Sequence, residues 1–216
     1  MTVTICVVMT VIGFLSGSVM YSYIIPKLTR HIDIRRTSED ENPGGANAGA
    51  AAGKPVGAVC IALDVLKAFA PVFVSVTVLG MSGYYLVPVI VAPVLGHAFS
   101  PFFWFKGGKA VASSFGSLLG VVTISKALAV LVAVMIVVNF LIIIKPDSAR
   151  VITAFCLACA AVFSTEPLFI IKIAMLIISM TVCLKHIINP NKGAFSVSVG
   201  PFGLCIDHRE LKLGRK

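Results

Sequence analysis

Long apolar runs alternate with short polar segments along most of the 216-residue chain. A run of about 20 apolar residues crosses the hydrocarbon layer as a helix, because a helix satisfies its own backbone hydrogen bonds. The pattern predicts an all-α polytopic membrane protein with seven transmembrane helices, folded as a single domain over residues 1–216. The apolar runs cover residues 3–25, 55–80, 84–100, 110–124, 127–144, 149–164 and 167–185.

The lengths of these runs are unequal. The first run ends at Pro26, and we expect its helix to end there. The runs 84–100 and 110–124 are short for a span, and the first of these two contains Pro88 and Pro93. Short segments interrupted by proline or glycine are tolerated at membrane depth where they line a cavity or pack inside the protein.

Composition supports the membrane assignment, since hydrophobic residues make up 58% of the chain and charged residues only 12%. A soluble domain has about twice that charged fraction. The net charge of +9 therefore indicates cytoplasmic loops and anionic lipid rather than a nucleic-acid partner. Cys156 and Cys159 form a C-x-x-C without a second pair or nearby histidines, so we interpret them as packing residues.

The lysines and arginines predict the orientation of the spans. With the N-terminus outside and the C-terminus in the cytoplasm, fifteen of the eighteen Lys and Arg residues lie on the cytoplasmic side, as the positive-inside rule requires. This arrangement gathers residues 27–54, 97–113 and 186–192, the most polar and distinctive stretches, on one face of the membrane.

The stretch 97–113 has the composition of a phosphate-binding turn at the edge of a bilayer. Lys106 and Lys109 bracket a Gly-Gly pair, which lets a ligand approach the backbone closely. The small residues that follow, including Ser113, start a helix whose free N–H groups attract an anion. Aromatic residues 102–105 suit the headgroup level. An interfacial loop that meets lipid headgroups explains the same residues, and the pattern leaves both readings open.

Two pairs of polar residues lie in or next to apolar runs. Asp64 and Lys67 are three residues apart, so they share a helical face; an intramembrane charge is usually functional, although these two neutralise each other. His186 and Asn189 share a face at the end of the last run and are suited to grip a phosphate or orient a hydroxyl. A histidine at that position also serves as a simple helix cap.

The first polar loop contains strong turn chemistry at Asn42-Pro43-Gly44-Gly45, followed by Asn47 at the start of a small-residue run. The acidic triplet Glu39-Asp40-Glu41 precedes this turn. Its spacing is unlike that of a calcium loop, so we interpret the triplet as solvated and predict no metal site.

Taken together, these stretches resemble the bacterial acyl-phosphate:glycerol-3-phosphate acyltransferase family of the PlsY type, over most of the chain. The first motif of that family resembles Asp33-x-Arg35 with Asn42-Pro43-Gly44 and Asn47. The second resembles Gly96-His97 with Phe103-x-Phe105-Lys106-Gly107-Gly108-Lys109, and the third resembles His186-x-x-Asn189. Gly17-Ser18 and Asp64-x-Leu66-Lys67 resemble the conserved positions of its first two spans.

The resemblance implies a multi-pass enzyme of the bacterial plasma membrane, with its motifs on the cytoplasmic side. It would transfer a fatty acyl group from acyl phosphate to the 1-hydroxyl of glycerol 3-phosphate, giving lysophosphatidate and phosphate for phospholipid synthesis. The family uses neither an acyl-enzyme intermediate nor a catalytic metal, so no cofactor is expected. Membrane lipid and an enzyme that produces acyl phosphate are the expected partners.

The resemblance also assigns roles to individual residues. Lys106, Lys109 and the amides of Gly107 and Gly108 would bind phosphate. Arg35 and Asn47 would bind the second phosphate or the glycerol. His186 and Asn189 would be catalytic and orient the acceptor hydroxyl. The remaining substrate-binding positions would be Ser18, Asn42, His97 and Ser113.

Two departures from the family pattern lie in the first motif. Glu39-Asp40-Glu41 stands where the family has Gly-Ser-Gly, and Ala50 stands where it has an arginine. Added acids and a lost cation predict weaker binding of anionic substrates through repulsion. A substrate-altered or non-catalytic paralogue that binds lipid or a partner is therefore an alternative. A transporter of a phosphorylated metabolite is a further one, although no internal inverted repeat is seen.

Overall fold

Helices form most of the described part of the chain, which in this computed structural model comprises residues 2–38, 40–191, 193–199 and 204–207. Glu39 and Lys192 lie outside the described residues. The α-helices are α1 (Thr2–Ser18), α2 (Tyr21–Arg30), α3 (Ile34–Thr37), α4 (Gly45–Ala52), α5 (Lys54–Phe73), α6 (Leu86–Ala98), α7 (Val111–Gly120), α8 (Ala127–Ile136), α9 (Asp147–Thr165) and α10 (Phe169–Ile188). Single π-helical segments extend α5 over Val74–Val78 and α8 over Val137–Leu141.

Within the described residues, five helical segments are long and apolar enough to cross a membrane. They are Val3–Arg30, Lys54–Val78, Gly83–Phe103, Asp147–Thr165 and Phe169–Ile188. Two further apolar helical segments, Val111–Gly120 and Ala127–Leu141, are shorter. The prediction of a helical, multi-span protein is thus confirmed, whereas the number seven and the orientation of the termini stay predictions.

Two predicted boundaries are wrong. The first span does not end at Pro26 but continues to Arg30. Its helix is interrupted earlier, at Val19 and Met20, and restarts as α2, which contains Pro26. The predicted helix over 127–144 ends at Leu141. Its last residues belong to a small antiparallel sheet, in which β1 (Ile142–Lys145) pairs with β2 (Ser196–Val199) and β2 with β3 (Leu204–Asp207). The β-branched run of isoleucines suits a strand.

The break between α1 and α2 is stabilised by the charges of α5. Lys67 donates a hydrogen bond to the carbonyl of Val19, which the break leaves without a helical partner. Its ammonium nitrogen also lies 2.7 Å from Asp64 Oδ1, and Ser22 Oγ donates to Asp64 Oδ2 at 2.6 Å. The intramembrane charges therefore neutralise each other and join α5 to the break and to α2, while Ser16 of α1 donates a hydrogen bond to the Lys67 carbonyl at 2.8 Å.

Glycines set how closely the helices approach. A Cβ atom at Gly17 of α1 would clash with the carbonyl of Pro93 in α6. A Cβ atom at Gly116 of α7 would clash with the carbonyl of Val65 in α5. Small residues at such contacts let membrane helices pack backbone against backbone. As a result α6 is packed inside the bundle, and α5 and α7 lie side by side beneath the site described next.

Candidate active site

Two adjoining cavities lie where the three sequence motifs meet, and Asp40 lines both of them. The first cavity has a volume of about 660 Å3 and combines a polar end with a long apolar wall. Side chains from four helices, α5, α7, α8 and α9, form this wall. They are Ile61, Val65, Val111, Phe115, Leu119, Leu128, Val132 and Val151. The second cavity, of about 1020 Å3, is lined mainly by charged and polar residues.

An ion pair between Asp40 and Lys109 lies at the polar end of the first cavity. Lys109 Nζ is 2.7 Å from Asp40 Oδ2, and the two side chains are only 8% and 5% exposed. Lys109 also donates to Asn191 Oδ1 at 2.8 Å, and Asn191 Nδ2 donates to Asp40 Oδ2 at 3.2 Å. These three residues come from the first loop, the second motif and the segment after α10, so the pair joins distant parts of the chain.

The first loop holds the other oxygen of Asp40. Asn47 Nδ2 donates to Asp40 Oδ1 at 2.8 Å and to the carbonyl of Asn42 at 2.9 Å. The backbone N–H of Asn42 donates to Asp40 Oδ1 at 3.3 Å. The predicted turn at Asn42-Pro43-Gly44-Gly45 thus folds the chain back, and α4 begins directly after it with Asn47 facing the carboxylate.

Burial raises the pKa of the Asp40 carboxyl, but the hydrogen bonds from Lys109 and Asn47 and the charge of Lys109 more than offset it. The pKa of Asp40 is therefore lowered, and the carboxylate is ionised near neutral pH. The interpretation of the acidic triplet as solvated is wrong for Asp40. The predicted weakening of anion binding stays a prediction, and in the structure Lys109 pairs with the charge of this residue.

The glycine pair of the second motif lets the backbone pack closely against His97. A Cβ atom at Gly107 would clash with the carbonyl of His97, and one at Gly108 would clash with its imidazole ring. The N–H of Gly108 donates to the His97 carbonyl at 3.0 Å, so this amide is already paired within the fold. The turn then delivers Lys109 to the first cavity, while Lys106 and Gly107 line the second.

The structure divides the residues predicted for the site into three groups. Five of them line the first cavity: Asn42, Asn47, His97, Lys109 and His186. Four line the second cavity: Arg35, Lys106, Gly107 and Asn189. The other three, Ser18, Gly108 and Ser113, line neither cavity. The hydroxyls of Ser18 and Ser113 are buried and donate to the carbonyls of Phe14 and Ala110.

The third motif divides between the cavities. His186 faces the first cavity from the last turn of α10, whereas Asn189 follows the helix and lines the second. The Nδ1 atom of His186 lies 2.9 Å from the carbonyl of Val182. Because a carbonyl only accepts, we assign the hydrogen to Nδ1, which leaves the Nε2 atom as an acceptor.

Cationic side chains give the second cavity its character. Four cationic residues, Arg35, Arg36, Lys106 and Lys185, line it together with three acids, Asp33, Asp40 and Glu41. Arg35 pairs with Asp33 at 3.3 Å, and its guanidinium lies 4.4 Å from the centre of the Tyr23 ring. The hydrogen bond to Asp33 raises the pKa of Arg35. A small dianion would meet several positive charges here.

Sequence reasoning missed Asn191, Ser148 and Lys185. Ser148 Oγ donates to Asn191 Oδ1 at 2.9 Å and accepts from the Asn191 N–H at 2.7 Å, which fixes the amide that contacts Lys109. The sequence signal is a second asparagine, two residues after Asn189, but it lies beyond the periodic part of α10. Among the described residues, no three His, Cys, Asp or Glu side chains are grouped as a metal site.

Comparison with known proteins gives consistent results. A family model described as glycerol-3-phosphate acyltransferase matches residues 7–194. A glycerol-3-phosphate acyltransferase 2 of Thermotoga maritima is 44% identical over 106 residues, 49% of this chain and 53% of that protein. A glycerol-3-phosphate acyltransferase of Pseudothermotoga lettingae is 48% identical over 105 residues, 49% of this chain and 51% of that protein. The matched region thus spans about half the length of these curated relatives.

The fold has solved counterparts. The crystal structure of PlsY (YgiH), an integral membrane glycerol 3-phosphate acyltransferase, in its glycerol 3-phosphate form matches with a TM-score of 0.73 and 27% identity. The match covers 85% of this chain and 89% of that chain. The lysophosphatidic acid form of the same protein matches with a TM-score of 0.71.

Proposed function

Because the chain belongs to the glycerol-3-phosphate acyltransferase family, we propose that it transfers a fatty acyl group from acyl phosphate to the 1-hydroxyl of glycerol 3-phosphate. The products would be lysophosphatidate and inorganic phosphate. The chain is a multi-pass protein of the plasma membrane, so both the lipid product and a long-chain donor would have direct access to the bilayer.

The observation that carries this proposal is the pairing of two cavities of different character across Asp40. The first cavity joins an apolar wall to Lys109 and three asparagines, which suits an acyl chain that ends in a phosphate. The second cavity presents Arg35 and Lys106 to a small polar dianion. We therefore assign acyl phosphate to the first cavity and glycerol 3-phosphate to the second.

The chemistry needs little more than positioning and charge stabilisation, because acyl phosphate is already activated. The acceptor hydroxyl oxygen forms a bond to the acyl carbonyl carbon, and the bond from that carbon to the phosphate oxygen breaks. Phosphate leaves with the electron pair, near the ammonium of Lys109. The hydroxyl proton goes to a phosphate oxygen or to Nε2 of His186, and Asn189 orients the hydroxyl from the second cavity.

The direct test is an assay of the purified protein in lipid nanodiscs with acyl phosphate and a panel of phosphorylated polyols. Phosphate release and lipid product are followed together. We expect both to require glycerol 3-phosphate. Release with a different polyol would support the substrate-altered paralogue, and release no faster than spontaneous hydrolysis would support the non-catalytic one.

We further infer seven spans in a single domain over residues 1–216, with the N-terminus outside and an acyl-phosphate-producing enzyme as partner at the cytoplasmic face. The two shorter apolar helices, Val111–Gly120 and Ala127–Leu141, would complete the count. Single cysteines at Ser82 and Thr37 test the orientation in intact cells after the native cysteines are replaced. An impermeant thiol reagent should label position 82 alone. Labelling of position 37 alone would show that the protein has the opposite orientation in the membrane.

A further inference from the structure

The carboxylate of Asp40 is bound as a ligand would be bound. Four donors converge on its two oxygens: Lys109 Nζ, Asn191 Nδ2, Asn47 Nδ2 and the backbone N–H of Asn42. A cation and amide donors around a buried oxyanion are the groups with which proteins bind phosphate. We call these four donors the anion cradle. Three of the four residues were assigned to substrate binding from the sequence, and all four line the first cavity.

Asp40 therefore occupies the place that a substrate anion would take. It lies in a non-helical segment between α3 and α4, next to Glu41, whose backbone has a φ of 49°. The carboxylate is therefore able to leave the cradle without unwinding a helix. Its departure would return Lys109 and the asparagine amides to an incoming anion.

The apolar wall makes an internal competitor useful. Ile61 and Val132 of this wall are 43% and 37% exposed, so the first cavity opens sideways toward lipid. Bulk phospholipids carry the same acyl chains as the proposed donor, but their phosphodiester headgroup bears a single negative charge. Acyl phosphate bears a phosphomonoester-like dianion, which forms stronger charge-assisted hydrogen bonds.

We propose that Asp40 is an internal competing anion that lowers the occupancy of the first cavity by weakly bound anions. The phosphate of acyl phosphate binds tightly enough to displace the carboxylate, whereas the phosphodiester of bulk lipid does not. The need for displacement lowers the affinity of every anion by the same factor and leaves the ratio of two affinities unchanged. The weaker ligand then no longer saturates the cavity at its concentration in the membrane, whereas the tighter ligand still binds. The inference rests on the proposed function, because it places the donor phosphate in this cradle.

The test measures binding without turnover. Dodecyl phosphate and its methyl ester, a phosphodiester, are titrated calorimetrically into the full chain in detergent at about pH 8, where the monoester is a dianion. We expect Asp40→Asn and Asp40→Ser to bind both ligands about tenfold tighter or more than the wild type, which corresponds to one freed charge-assisted contact. Glu166→Gln is the matched control. Glu166 lines neither cavity, and a glutamine oxygen can still accept the hydrogen bond from Ser125, so this variant should bind like the wild type.

The lipid consequence has its own measurement. In nanodiscs of zwitterionic lipid, added phosphatidylglycerol should inhibit phosphate release by Asp40→Asn and Asp40→Ser but not by the wild type. Weaker binding of dodecyl phosphate in both folded variants would overturn the proposal, because it would show that Asp40 holds Lys109 in place for the ligand. Unchanged binding would overturn it as well. A wild type that binds dodecyl phosphate but releases no phosphate would refute the proposed function alone.

Discussion

Two buried acid–lysine pairs with the same separation differ in the groups that complete them, although Asp64 of one pair and both residues of the other line the first cavity. In the membrane-spanning pair, Asp64 and Lys67 lie one turn apart on α5, 2.7 Å from each other. In the cavity pair, Asp40 and Lys109 come from different loops and are also 2.7 Å apart. The membrane pair is completed by Ser22 and the Val19 carbonyl, which are parts of the fold. The cavity pair is completed by asparagines that line an open cavity.

The difference shows that distance and burial do not reveal what an ion pair does. The partners that complete each pair reveal it. Ser22 and Val19 line neither cavity, so we infer that the membrane pair mainly stabilises the bundle, even though Asp64 reaches the wall of the first cavity. Asparagine amides and a lysine at the end of an apolar cavity are also able to bind a substrate, so the cavity pair belongs to the site.

The largest expected effect comes from breaking the membrane pair. Asp64→Ala leaves Lys67 buried without a counter-charge, which should lower the free energy of unfolding by about 3–5 kcal/mol. Thermal unfolding in detergent measures the loss. The matched control is the double change Asp64→Leu with Lys67→Met, which removes both charges and should recover much of the stability. If Asp64→Ala unfolds at the same temperature as the wild type, this pair does not stabilise the bundle.

The next effect concerns the cavity pair and should appear in activity. Lys109→Ala should lower kcat/KM for acyl phosphate by about ten- to a hundredfold, because a charge-assisted contact to the phosphate is lost. Since this change also leaves Asp40 unpaired, it is combined with Asp40→Asn. The double variant should regain stability without regaining activity. Recovery of both would place the lysine among the structural residues, like Lys67.

A smaller effect distinguishes the two cavities. Lys106→Ala should raise the KM for glycerol 3-phosphate by about tenfold and leave the KM for acyl phosphate unchanged, because Lys106 lines only the second cavity. Steady-state kinetics with each substrate varied in turn measure both constants. Lys54→Ala, at an exposed position at the start of α5, is the control. A rise confined to acyl phosphate would reverse the assignment of the two cavities.

The smallest expected effect is the pH dependence of the stability that the cavity pair contributes. The pKa of Asp40 is lowered in the folded protein, so its ion pair contributes stability above the ordinary carboxyl pKa of about 4. That contribution disappears as the pH falls through the lowered folded value. Thermal unfolding between neutral and strongly acidic pH should therefore show a steeper loss for the wild type than for Asp40→Asn. Parallel curves would mean that protonation of Asp40 does not change the free energy of unfolding.

The sequence alone was sufficient for the parts of the fold that depend on local pattern. Apolar runs predicted the helices, and the Gly-Gly pair between Lys106 and Lys109 predicted a turn, because both depend on neighbours in the chain. The first helix break was not predictable in this way. Its position at Val19 depends on Lys67, which lies far away in sequence and donates a hydrogen bond to the carbonyl that the break leaves without a helical partner.

The sequence predicted which residues belong to the site, but not the contacts that they make. Motif spacing marked Lys109, Asn47 and His186, and all three line the first cavity. The partner of Lys109 was not predictable, since charge counting treats Asp40 as one acid among three, whereas a long-range contact removes it from solvent. Asn191 was missed for the same reason, because its role depends on a hydrogen bond to Ser148.

The contact at Gly116 bears on how acyl-chain preference could diverge among relatives. This glycine lies against the Val65 carbonyl, and the two helices that meet there also supply much of the apolar wall. One added methyl group would push α7 away from α5 and widen the space between Phe115 and Ile61. Selection could thus retune the fatty acids that a descendant accepts through a position that never touches them, and a library restricted to lining residues would overlook it.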